Sequence, residues 1–141
     1  TWRRSRARLV TKGMIDSNVF VYALFSDPVY GERAKELLRE AESKKAYTST
    51  LLVSQVLAHL ERRKRSQAIP AFIAYLQQSG IEVVETTWED ITGAVEMLVN
   101  RGLSLKLWDD AVTAQQMKRL GIRVVYSNDA DFDTLGVKRV F

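Results

Sequence analysis

The chain alternates short apolar runs with longer segments whose apolar residues recur every three or four positions, and this alternation predicts a parallel sheet with crossover helices. Residues 13–16, 46–48, 81–84, 122–126 and 137–141 read as five strands. The fourth has a continuous apolar centre, which suits burial on both faces. Residues 18–25 are apolar nearly all round and read as a first helix. The second is expected to have Asp27 as cap, Pro28 in first position, and Ala34, Leu37, Leu38 and Ala41 inward. Ser49 or Thr50 should cap the third, which carries Leu52, Val56 and Leu60, and Pro70 opens the fourth, with Phe72, Ile73 and Leu76 inward. Thr86 or Thr87 should cap the fifth, with Ile91, Ala94, Val95 and Leu98 facing the core. The last runs from about Trp108 to Leu120 and stops at Gly121. Trp88 and Trp108 flank helix starts and read as packing anchors.

The chain has 141 residues, no repeat and no linker, so one domain is expected. With no cysteine, a disulfide scaffold and cysteine-ligated metal sites are excluded, and His59, the lone histidine, argues against a zinc site of several histidines and a Ser-His-Asp triad. No apolar run reaches the ~18–20 residues that span a bilayer, and no signal-peptide core opens the chain, so a soluble, cytoplasmic protein is expected. The net charge of +4 is unevenly placed. Residues 1–13 hold Arg3, Arg4, Arg6, Arg8 and Lys12 and no acid; without these five, 16 basic face 17 acidic residues. Residues 1–13 therefore read as a basic arm or extension, able to contact phosphates if native, ahead of a domain at 14–141. Within the domain, Arg62, Arg63, Lys64 and Arg65 form a basic run, either a solvated helix end or an RNA contact.

Several acids sit at the ends of elements. Asp16 follows the first strand, Asp109 and Asp110 open the last helix, and Asp129 and Asp131 follow the fourth strand. Ligands of open parallel sheets bind beyond the carboxyl ends of strands, where strand order reverses. If strands one and four are neighbours, Asp16 and Asp129 converge there, and Asp110 can face the same crevice. Carboxylates held together repel unless a cation joins them, and an all-oxygen set favours Mg²⁺ or Mn²⁺ over zinc. Asp and Asn after strands are also ordinary turn formers, and Asp109 could be only a cap.

Four blocks in order, M-I-D-S-N-V-F, T-S-T-L-L-V-S-Q-V, W-D-D-A-V-T-A and Y-S-N-D-A-D-F, resemble the PIN domain over about residues 14–141, most nearly the toxins of VapBC-type toxin–antitoxin pairs. The resemblance implies an α/β/α sandwich with strand order 3-2-1-4-5 and a Mg²⁺- or Mn²⁺-dependent endoribonuclease acting on RNA. It also implies a homodimer and an antitoxin partner. By position, Asp16, Asp110 and Asp129 match the catalytic, metal-binding acids, and Asp131 a frequent additional one. Asn18 and Ser127 match supporting polar positions. One departure stands out: the family's usual Glu in the helix after the second strand is Gln55 here. Gln keeps an oxygen but loses a charge and cannot act as a base. Whether Gln55 is natural or replaces a Glu to silence a toxic nuclease stays open. Arg62, Arg63, Lys64, Arg65 and Lys106 are the candidate RNA-binding cations.

The competing reading is a catalytically silent PIN-like module that binds RNA or protein. A phospho-acceptor receiver domain fits less well, because it wants an acidic pair after the first strand, where this chain has Asp16 alone.

Overall fold

The computed structural model describes residues 12–141; apart from Lys12 and Gly13, the expected basic arm lies outside them. Five parallel strands, β1 (Gly13–Ile15), β2 (Ala46–Ser49), β3 (Ile81–Val84), β4 (Val124–Tyr126) and β5 (Lys138–Val140), form one sheet of order β3-β2-β1-β4-β5. The helices are α1 (Ser17–Leu24), α2 (Gly31–Glu42), α3 (Thr50–Arg62), α4 (Ile69–Gln78), α5 (Trp88–Asn100), α6 (Trp108–Leu120) and the single turn α7 (Asp131–Thr134). This is the expected three-layer α/β architecture and strand order.

Successive side chains of β1 point to opposite faces, so each face has its own core. Ile15 packs with Val19, Phe20, Leu37, Val56 and Phe72 on one side, where the rings of Phe20 and Phe72 meet edge to face at 5.3 Å. Met14 packs with Leu52, Leu98, Val112, Val125 and Phe132 on the other. Gly13 opens β1 because the ring of Tyr126 lies where a β-carbon would stand.

Local signals set most boundaries. Ser49 caps α3 by accepting from the Leu52 N–H, and Thr87 and Asp90 form a reciprocal capping box on α5. Gly121 ends α6 at φ 70°. Two expectations need correction. Asp27 does not cap α2: its carboxylate accepts from the Val29 and Tyr30 N–H groups in a tight turn, and the helix begins only at Gly31. The inward face of α5 is Asp90, Ala94 and Leu98, leaving Ile91 and Val95 exposed. Asp90 draws that row inward by pairing with Arg119 of α6 at 2.9 Å. Trp88 and Trp108 are 71% and 50% exposed, so neither is a core anchor.

No helix among the described residues is long and apolar enough to cross a membrane.

Candidate active site

The reversal of strand order between β1 and β4 places their carboxyl ends side by side, with Ile15 in register with Tyr126. The next residue of each chain segment therefore meets the other. The Asp16 N–H donates to the Tyr126 carbonyl at 3.0 Å, and the Ser127 hydroxyl donates to Asp16 Oδ2 at 2.6 Å. Asp16 is 4% exposed. Its other oxygen accepts from the Ser17 N–H at 2.8 Å, which makes it the cap of α1. Burial nonetheless pushes its carboxyl up to about 6, with the charges of Asp129 and Asp109 adding, against the hydrogen bonds from Ser127 and Ser17.

Ser127 is the hub of this end of the sheet. Besides donating to Asp16, its Oγ accepts from Asn18 Nδ2 at 3.2 Å and from the Asp129 N–H at 2.9 Å. A hydroxyl has one proton and two lone pairs, so all its capacity is used. This fixes the loop after β4, and Asp129 in turn accepts from the Asp131 N–H at 2.9 Å.

Asp109 and Asp110 arrive from the first turn of α6. Asp109 is not the helix cap, a position held by Leu107 without any side-chain hydrogen bond. Its Oδ1 accepts from the Asp110 N–H at 2.9 Å, and its Oδ2 accepts from Gln55 Nε2, on α3, at 3.1 Å. Burial pushes the Asp110 carboxyl up to about 9, reinforced by Asp129, Asp16 and Asp109. Asp131 is shifted up chiefly by the charge of Asp129.

Asp16, Asp109, Asp110 and Asp129 line one cleft of about 530 Å³, together with Asn18 and Gln55. The tightest grouping differs from expectation. Carboxylate oxygens of Asp110, Asp129 and Asp131 lie within 4.8 Å of one another, and Asp16, hydrogen-bonded to Ser127, is outside that set. Three converging oxygens suit one hard divalent cation. Burial and the neighbouring carboxylates raise Asp110, and the charge of Asp129 raises Asp131, so a cation here would favour the ionised form of both.

Of the expected RNA-contacting cations, Arg62 lines the cleft. The guanidinium groups of Arg63 and Arg65 instead stack on Phe25, at 4.8 and 5.6 Å. Lys64 takes the left-handed turn that follows α3 at φ 58°, and Lys106 is exposed ahead of α6, outside the cleft lining. Among the lining residues that went unanticipated as site members are Tyr22 and His59. Tyr22 Oη accepts from Asn128 Nδ2 at 3.2 Å, whereas His59 Nε2 is buried without a partner. The available signal was spacing: Asn18 to Tyr22 and Gln55 to His59 are each one helical turn.

A family model for the PIN domain matches residues 13–138. By sequence alone, no curated protein matches the chain. Among solved structures, the chain is similar to VapC20 of Mycobacterium tuberculosis, a toxin that cleaves the sarcin–ricin loop. The TM-score is 0.74 at 24% identity, over 91% of this chain and 98% of that one. It is similar to VapBC2 of Rickettsia felis, solved with a DNA fragment from its promoter, with TM-score 0.68 at 15% identity, over 92% and 98% of the chains. A toxin–antitoxin complex from Klebsiella pneumoniae has TM-score 0.62 at 16% identity, over 92% and 96%. The match spans nearly the whole chain and includes each acid of the cleft; the protein belongs to the PIN domain family.

Proposed function

We propose that this chain is an endoribonuclease of toxin–antitoxin type that hydrolyses RNA phosphodiester bonds with Mg²⁺ or Mn²⁺. The observation that carries this reading is the convergence of Asp110, Asp129 and Asp131 beside buried Asp16 at the β1–β4 switch point. Family membership supports nuclease chemistry, and the VapBC likenesses support an antitoxin partner.

Asp110, Asp129 and Asp131 would hold the cation, which when bound supplies charge neutralisation at the phosphate and lowers the pKa of water. Asp16 acts from one side. Through Ser127 it locks the loop that carries Asp129, and its own charge adds to the field that draws a cation in. Arg62, at the cleft wall, offsets the repulsion between the acids and an approaching phosphate. Gln55 spends its amide on Asp109, which orients that carboxylate but adds no charge, and this attenuates the site relative to a chain with Glu.

That same hydrogen bond favours a second reading, a silent module that binds RNA without cutting it. One experiment separates them: incubation of pooled RNA with wild type, Asp129→Asn and Asp110→Asn, each with Mg²⁺, Mn²⁺ or EDTA. The nuclease reading expects metal-dependent cleavage that both variants lose. RNA retention without cleavage under every condition selects the module.

A further inference from the structure

We propose that a basic cleft on the far edge of the sheet is a second RNA site, which grips the phosphodiester backbone of the substrate away from the scissile bond. The inference rests on the ribonuclease reading for the identity of its ligand.

The cleft has a volume of about 330 Å³ and is walled by Arg101, Lys118, Arg123 and Lys138, with no acid among its lining residues. All four cations are exposed, and none pairs with a carboxylate among the described residues. Their neighbours behave differently. Arg119, next to Lys118, is neutralised by Asp90, and Arg139, next to Lys138, by Asp133. The pairing acids thus skip the four that face the cleft.

Helix-end electrostatics explain Arg101 and Lys118, which cap or close α5 and α6. They do not explain Arg123, on the loop before β4, or Lys138, the first residue of β5. Four separate elements bring one sign of charge to one place. The four cations offer contacts to backbone phosphates and leave base identity unread. Gly13, Val124 and Lys138 stand in one row of the sheet, and the sequence places Arg3, Arg4, Arg6, Arg8 and Lys12 just ahead of Gly13. The acidic cleft lies at the opposite ends of β1 and β4, so the two sites hold different parts of one RNA.

The test compares wild type with Arg101→Gln/Lys118→Gln/Arg123→Gln by fluorescence anisotropy in EDTA, where no turnover occurs. The probes are a labelled hairpin RNA of roughly 40 nucleotides and a labelled pentanucleotide. Losing three phosphate contacts should weaken hairpin binding about tenfold or more and flatten its log–log salt slope by about 2. Pentanucleotide cleavage with Mg²⁺ should not change. A second variant, Arg123→Gln/Lys138→Gln, leaves both helix ends intact and should move binding in the same direction. Unchanged hairpin affinity and salt slope in a folded variant overturns the proposal. So does unchanged RNA binding with lost binding to poly-L-glutamate, which would assign the cleft to an acidic protein segment. Because binding is read without metal, a wild type that never cleaves refutes the nuclease reading while leaving this result interpretable.

Discussion

Replacing Asp16 with Asn isolates the cost of holding an acid at the switch point without a cation. The folded carboxyl titrates at about 6 against an ordinary value of 3.8. One unit corresponds to about 1.4 kcal/mol, so the full shift is worth about 3 kcal/mol, and burial is nearly complete, so solvent screening takes little from it. The folded state holds the proton more tightly than the unfolded chain. Its stability is therefore fully retained below about pH 4 and falls as pH rises through about 6. Asn cannot ionise and escapes this loss. It brings a fixed cost, because both Asp16 oxygens accept hydrogen bonds, so the Asn Nδ2 must face either the Ser17 N–H or a Ser127 Oγ that already accepts two. That cost is about 1–3 kcal/mol at every pH. The downward shifts of His59 and Asp90 occur in both proteins and cancel in the difference, whereas Asp110 is raised in part by the Asp16 charge, so its relief in the variant adds in the same direction. Urea unfolding in EDTA should thus show the variant gaining about 2–3 kcal/mol on wild type between about pH 4 and about pH 7.5. Mn²⁺ at the upper pH should raise wild type more than the variant. A difference that stays constant across that window would refute the claim that burial of Asp16 is uncompensated.

Gln55→Glu exchanges a hydrogen bond to Asp109 for a like charge at about the same distance, so it should cost about 1–3 kcal/mol in EDTA, enlarge the melting shift on adding Mn²⁺, and raise the cleavage rate. Ser127→Ala leaves Asp16, Asn18 and the Asp129 N–H without their partner; a loss of about 2–3 kcal/mol is expected by urea titration, with the Asp16 transition moved to higher pH. Trp88→Gln should stay within about 0.5 kcal/mol of wild type and Phe72→Ala should lose about 3–5 kcal/mol, since one side chain is solvated and the other is 1% exposed.

What was legible in the sequence follows from which forces are local. The inner strand β1 was readable because a short apolar run buried on both faces leaves no polar alternation, and the caps at Ser49, Thr87 and Gly121 were readable because capping is decided within four residues. Asp16, Asp110 and Asp129 could be placed because they abut element ends whose position the topology determines. The rest depends on packing between distant segments. The hydroxyl that binds Asp16 lies 111 residues away, and the partner of Gln55 lies 54 residues on. The orientation of α5 was misread for the same reason. Its apolar residues occupy two adjacent rows, and an ion pair to another helix selects the row that faces in.

The joining of Asp16 to Ser127 also has a temporal meaning. A chain emerging from the ribosome displays Asp16 early, but the hydroxyl that seats it and the neighbouring acid at 129 are translated more than a hundred codons later. Most of the chain is made before this end of the sheet can assemble, and a polypeptide interrupted before residue 127 lacks both the seat of Asp16 and the acid at 129.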